Sequence, residues 1–248
     1  MDQTAGVTAD RVLGGRVALL QPARGYRAGL DAAMLAAACD ARDGERVVEP
    51  GCGVGAAMLA AAIRRPGVSF TGVERDPAML ALACRNIEAN GLAARVRAES
   101  GDVEAARAGP NAGFDAAICN PPFFDDPTAL RGPHPARRGA YLADAGLAAW
   151  VGWLVAAVRD GGTIVVIHRA ERLADLLGLF AAKAGSAQVR PLHPFADAPA
   201  RRVLVRAVRG GRAPLRLLPP LVVHAPEGGR HTPEAEAILR GEAGLPWL

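Results

Sequence analysis

The chain has 248 residues, 50% of them hydrophobic and only 4% aromatic, with 29 Lys plus Arg against 25 Asp plus Glu for a formal net charge of +4. Charges, Gly and Pro break every apolar run before the roughly 18 to 20 residues that a membrane span needs, and the apolar content is too high for a disordered chain. A globular, enzyme-sized domain remains, and its small positive surplus does not by itself name an anionic partner.

Two short apolar runs, Arg11 to Leu20, flank Gly14-Gly15, which predicts a hairpin with a two-residue turn. Leu30 to Cys39 is rich in Ala, Leu and Met and reads as a helix, with Asp31 in the first turn where the dipole favours an anion. From Arg46 strand and helix alternate. Strands are expected at Arg46–Glu49, Val68–Glu74, Arg95–Ser100, Phe114–Asn120 and Gly162–Ile167; helices at Met58–Arg65, Pro77–Asn90, Leu147–Arg159 and Glu171–Lys183. Asp76 is a natural N-cap with Pro77 at the first helical position, and Gly91 and Gly161 are helix stops. Beyond Gly185 the pattern predicts strands at Val189–Phe195, Arg201–Arg209 and Leu215–His224, then a helix capped by Thr232 and running to about Arg240. Alternation followed by an all-strand tail implies an α/β, doubly wound, mostly parallel sheet with an antiparallel C-terminal end.

Cys39, Cys52, Cys84 and Cys119 form no C-x-x-C pair and have no histidine at ligand spacing, so no metal is expected. Met1 to Ala9 lacks a basic stretch followed by an apolar one, so the chain reads as a reduced, cytoplasmic protein without membrane partners; its oligomeric state is not encoded in any pattern.

The first strand of the core ends in Glu49-Pro-Gly-Cys-Gly-Val-Gly55. Alternating glycines let a ligand approach main-chain N–H groups at the carboxyl edge of the sheet. The same loop satisfies the dinucleotide fingerprint, but Glu49 would repel a pyrophosphate and can pair with the ammonium of an amino acid, as S-adenosylmethionine carries. Glu74, at the end of the second strand, can accept both hydroxyls of a ribose, or can be a surface charge paired with Arg75. Asp102, after the third, can accept an adenine amino group or stand in an ordinary Gly-Asp turn.

The fourth strand leads into Asn120-Pro121-Pro122-Phe123. The Asn120 amide oxygen and the Pro121 carbonyl can take both hydrogens of a planar exocyclic amine, turning its lone pair toward a methyl donor, and an aromatic ring beside them can stack on a base. The plainer reading is a turn with buried phenylalanines, which has to accommodate two adjacent aromatics, Phe123 and Phe124, in a chain with eleven.

Glu49-Pro-Gly-Cys-Gly-Val-Gly55, Glu74, Asp102 and Asn120-Pro-Pro-Phe123, in this order and spacing, resemble the class I S-adenosylmethionine-dependent amino-methyltransferases of the small-domain superfamily. Gln21-Pro-Ala-Arg-Gly-Tyr-Arg-Ala-Gly-Leu-Asp31, Ala200-Arg-Arg-Val-Leu-Val-Arg206 and His231-Thr-Pro-Glu234 look like the bacterial tRNA(Val) adenine N(6)-methyltransferases. The resemblance implies a Rossmann-like, seven-stranded sheet in one domain over 1–248: hairpin and lid helix in 1–40, cofactor-binding core in 41–185, antiparallel tail and terminal helix in 186–248. It implies that Glu49, Gly51, Gly53 and Gly55 wall the methionine and ribose, that Glu74 holds the ribose and Asp102 the adenine, and that Asn120, Pro121, Pro122 and Phe123 receive the target amine. Tyr26 and Asp31 match the N-terminal cofactor lid, although Ala32-Ala33 stand where some members have Gly-Thr.

The implied activity is methyl transfer from S-adenosylmethionine to adenine N(6) in tRNA, without a metal. The alternatives are guanine N(2) of rRNA, glutamine N(5) of a protein as in release-factor methyltransferases, and, in another class, a noncatalytic RNA-binding module. Arg131-Gly-Pro-His-Pro-Ala-Arg-Arg138 reads as a phosphate clamp or a solvated loop, and Arg201, Arg202, Arg206, Arg209, Arg212 and Arg216 form a second basic concentration.

Overall fold

The computed structural model describes residues 6–24, 27–103, 113–122, 146–226 and 230–248. An N-terminal hairpin, β1 (Val7–Val12) and β2 (Val17–Pro22), precedes α1 (Leu30–Ala38). The core follows as β3 (Arg46–Pro50), α2 (Ala56–Arg64), β4 (Ser69–Glu74), α3 (Pro77–Ala89), β5 (Val96–Ser100), β6 (Phe114–Cys119), α4 (Leu147–Ala157), β7 (Val158–Arg169), α5 (Leu173–Ala181) and β8 (Ala184–His193). The chain continues through β9 (Arg202–Arg209), β10 (Arg216–Leu217), β11 (Leu221–Val222) and α6 (Pro233–Arg240).

Among the described residues the main sheet is mixed and has nine strands, in the order β10-β8-β9-β7-β6-β3-β4-β5, with β11 also on β8. The expected count of seven fits the long strands alone; β10 and β11 are two-residue additions at the β8 edge. Only β9 runs antiparallel to its neighbours, β7 and β8, whereas β10 and β11 pair parallel to β8. The C-terminal part is therefore less antiparallel than its pattern suggested, and Pro219 and Pro220, in the gap between β10 and β11, supply no N–H to join the two short strands into one ladder.

Side chains alternate across the sheet with the period of two that a strand imposes. Val165, Ile167 and Leu204 pack with Met34 and Leu35 of α1, Met58 and Leu59 of α2 and Leu82 and Ile87 of α3. Ile164, Val166, Val203 and Val205 face the other way, onto Leu154 of α4 and Leu176 and Phe180 of α5. Helices thus cover both faces, and no helix among the described residues is long and apolar enough to cross a membrane.

Two local expectations change. The hairpin turn spans four residues, since Val12 pairs with Val17, and Leu13, Gly14 and Gly15 all take positive φ. Helix α4 stops at Ala157 rather than Arg159: Val158 already pairs with Phe114 of β6, and a register shift follows between Phe114 and Ala116 before regular pairing resumes at Thr163.

Helix α3 starts as expected, with the Asp76 carboxylate accepting from Ala78 N and Met79 N and Pro77 in the first turn. Its Asn86 and Asn90 then dock the hairpin. Asn86 accepts from Leu20 N and donates to Leu20 O, and Asn90 does the same with Ala18, so two amide side chains stand in for a neighbouring strand.

Candidate active site

All the parallel strands end at one edge of the sheet, and the loops leaving that edge carry the sequence-predicted residues. Gly51 N and Cys52 N both donate to Val73 O, at 2.7 and 3.2 Å, which fastens the start of the glycine loop to the end of β4. Gly53 N donates to Glu74 Oε2 at 2.8 Å, and Asp76 N to Glu74 Oε1 at 2.9 Å. Glu74 is buried and clamps the loop with one bond to each carboxylate oxygen, leaving one acceptor lone pair on each for a ligand. It is not the ion-pair partner of Arg75, whose guanidinium instead lies 4.0 Å from Asp102.

Gly51, Gly53 and Gly55 have φ of +64°, +56° and +85°, a region that side chains with a Cβ rarely adopt. At Gly53 a Cβ would meet nothing within 4 Å, so the bare backbone lines open space, as a main-chain cradle for a ligand must. At Gly51 the space is taken: a Cβ would lie 2.6 Å from Cη2 of Trp150, on α4. The sequence reading missed Trp150. A tryptophan three residues into a helix that otherwise reads as core carried no separate signal.

Glu49 is 4% exposed, and its Oε2 has no hydrogen-bond partner among the described residues. Burial, reinforced by the nearby Glu74 carboxylate and only partly offset by a backbone hydrogen bond from Met58, pushes its pKa up to about 8. A buried carboxylate with an unpaired oxygen, beside a glycine loop, fits the ammonium of an amino-acid ligand; a pyrophosphate would meet it unfavourably.

Asn120 follows β6 directly. Val48 pairs with Ala117, and Cys119 Sγ lies 3.8 Å from Pro50 O, so the parallel register brings Asn120, Pro121 and Pro122 beside the first glycine of the loop. Asp102 stands one strand beyond Glu74, after Gly101 N donates to Glu74 O at 3.1 Å. Asp31 reaches the same edge from the start of α1 but is held by Arg202, with Nε–Oδ2 at 3.0 Å. Tyr26, Phe123 and the Arg131–Arg138 segment lie outside the described residues. Among the described residues no group of His, Cys, Asp and Glu could hold a metal ion.

Known proteins resemble this chain over the segment that carries these loops. Residues 27–131 match the methyltransferase small domain family. The likeness to that family is confined to this segment, less than half of the chain. A release factor glutamine methyltransferase of Rhodospirillum rubrum is 39% identical over 81 residues, 33% of this chain and 24% of that protein. A tRNA1(Val) (adenine(37)-N6)-methyltransferase of Actinobacillus succinogenes is 30% identical over 149 residues, 59% of this chain and 62% of that protein. The chain thus spans less than two thirds of the length of these curated relatives. Among solved structures, a predicted O-methyltransferase, protein Atu636 from Agrobacterium tumefaciens, superposes with a TM-score of 0.72 at 27% identity, over 87% of this chain and 98% of that one. S-adenosylmethionine is the methyl donor that this likeness brings with it.

Proposed function

We propose that this chain transfers a methyl group to the exocyclic amine of a nucleobase, adenine N(6) in a tRNA. The observation that carries this reading is the position of Asn120-Pro121-Pro122 at the carboxyl end of β6, beside the glycine loop. The Asn120 side-chain oxygen and the Pro121 carbonyl take the two amine hydrogens and orient the nitrogen lone pair. S-adenosylmethionine supplies an electrophilic methyl on a sulfonium that is already a good leaving group. When bound, the donor would pass its methyl to the amine nitrogen that Asn120 and Pro121 hold in line, the electron pair of the carbon–sulfur bond staying on sulfur and the proton lost by the amine going to water. The protein's part is to hold the reactants in line: Glu49 for the ammonium, Gly51, Gly53 and Gly55 along the donor's chain, Glu74 for the ribose, Asp102 for the adenine, with Asp31 and Tyr26 closing over it. A base in a duplex or stacked loop has to be turned out to reach Asn120, and Phe123 offers it a stacking surface.

Match length does not separate the two acceptors, since the tRNA methyltransferase matches over 149 residues and a second glutamine methyltransferase, of Chlorobaculum tepidum, over 165 at 26% identity; Phe at position 123, which suits a base face, favours the nucleobase. The higher identity of the 81-residue match, 39%, keeps a protein glutamine as the second reading. Transfer of tritiated methyl to separated tRNA, rRNA and protein fractions tests it. Label in tRNA, recovered as N(6)-methyladenosine, is the expected result; label confined to protein or rRNA overturns the proposal.

A further inference from the structure

The predicted basic concentration is not one surface. Arg206 is paired with Asp40 at 2.6 Å, Arg209 with Asp160 at 2.7 Å and Arg202 with Asp31. Because β9 is antiparallel, Arg209 lies at the opposite end of the sheet from the active site, pairing with Ala184 at the start of β8. Arg201 differs. It sits just before β9, at the carboxyl edge where Leu192 of β8 and Arg169 of β7 pair with Arg202, and its side chain is exposed.

Next to Arg201 on that edge stands an aromatic ladder outside the site already described. The chain leaving β8 carries Phe195, whose ring centroid is 5.5 Å from that of His224; His224 stacks on His231 at 5.3 Å with the planes 22° apart. The ladder is built into the backbone: Val223 N donates to His193 O, His224 N to Pro194 O, and His224 and His231 form a β-bridge. His231 is fixed in turn by Glu236. Phe195 is 37% exposed, the one aromatic among the exposed large hydrophobic residues described, and Arg230, beside His231, is exposed as well.

From β6, where Asn120 waits, to β8 is three strand spacings through β7 and β9, or about 14 Å. An exposed phenyl ring backed by two stacked imidazoles, flanked by exposed guanidinium groups and placed on the active-site edge, is the chemistry that holds an unpaired nucleotide: rings take the base face and arginines the phosphate. We infer that Phe195, His224 and His231 form a stacking platform for a single-stranded nucleotide of the RNA substrate near the methylated base, with Arg201 and Arg230 on its backbone. The inference rests on the nucleobase reading of the active site and deepens it.

The test measures methylation kinetics and binding with unfractionated tRNA as the probe. Phe195→Ala raises KM for tRNA about tenfold, as loss of one base stack should, while kcat and the affinity for S-adenosylmethionine stay near wild type. Phe195→Trp restores KM, and its added indole fluorescence is quenched on RNA binding. Arg201→Glu raises KM and flattens its salt dependence. Wild-type KM and RNA affinity in Phe195→Ala, with tRNA methylation intact, overturn the platform alone. An enzyme that methylates only protein overturns the platform together with the nucleobase reading.

Discussion

Glu74 holds the glycine loop by the backbone of Gly53, with Oε2 2.8 Å from the amide nitrogen. The acid assigned to a ribose is thus also what shapes the loop around the donor, since its other oxygen takes Asp76 N and so ties the loop to the start of α3. Hydrogen bonds to a charged group are worth about 1.5–3 kcal/mol each. Glu74→Ala is expected to weaken S-adenosylmethionine binding by at least tenfold in calorimetry and to lower Tm. Glu74→Gln, which keeps acceptors on one atom only, falls between the two.

Glu49 is expected to make donor binding depend on pH. With its pKa up to about 8, the free site is largely protonated at neutral pH, and an ammonium brought beside it favours the carboxylate. Binding therefore releases a proton, and affinity rises with pH up to about 8, by at most about tenfold per pH unit. Calorimetry in buffers of different ionisation enthalpy reads the released proton directly; Glu49→Gln removes both the release and the pH dependence. The same shift acts on stability. A folded-state pKa raised above the ordinary 4.5 means the native chain binds the proton more tightly than the unfolded one. The contribution is full below pH 4.5 and is lost as pH rises through 8, so the Tm of the ligand-free wild type declines relative to Glu49→Gln across that window.

Asn120 tests the chemistry apart from donor binding. The side chain faces the acceptor amine in the proposed arrangement, so Asn120→Ala is expected to reduce kcat by about a hundredfold or more while leaving the dissociation constant for S-adenosylmethionine unchanged. Wild-type turnover in this variant removes Asn120 from the catalytic role.

The order of elements and the loop positions of the site were legible because each rests on local chemistry: Asp76-Pro77 is a local helix-start signal, and glycines at 51, 53 and 55 allow the positive φ that the loop needs. What escaped depends on partners distant in sequence. Two-residue strands such as β10 carry too few residues for periodicity. Arg202, Arg206 and Arg209 look alike in a basic run, and what separates them from Arg201 is their pairing with Asp31, Asp40 and Asp160, residues distant in sequence. Asn86 read as an ordinary polar helix residue, yet it is fully buried and bonds chain segments 66 and 32 positions away.

Asn86 therefore carries a stability prediction. Its side chain serves Leu20 N, Leu20 O and Val54 O, joining the hairpin, α3 and the glycine loop. Asn86→Ala strands three backbone groups at a buried position, at a cost of about 3 kcal/mol, or roughly 6 to 12 °C in Tm for a chain of this size. Because Val54 lies inside the loop, donor affinity falls in the same variant, and saturating S-adenosylmethionine recovers part of the lost Tm.

The contact of Trp150 with Gly51 allows the last effect to be separated into strain and collision. Gly51→Ala places a methyl 2.6 Å from Cη2 of Trp150 and also imposes φ of +64° on alanine, which costs about 1–2 kcal/mol by itself. Trp150→Ala relieves the collision and leaves the backbone strain. In a double-mutant cycle, Gly51→Ala is expected to be less damaging to donor affinity in the Trp150→Ala background than in wild type, with a coupling of about 1 kcal/mol or more. Additive effects would mean that the indole merely borders the loop; coupling means that α4 sets the loop's position, and with it the distance between methyl donor and Asn120.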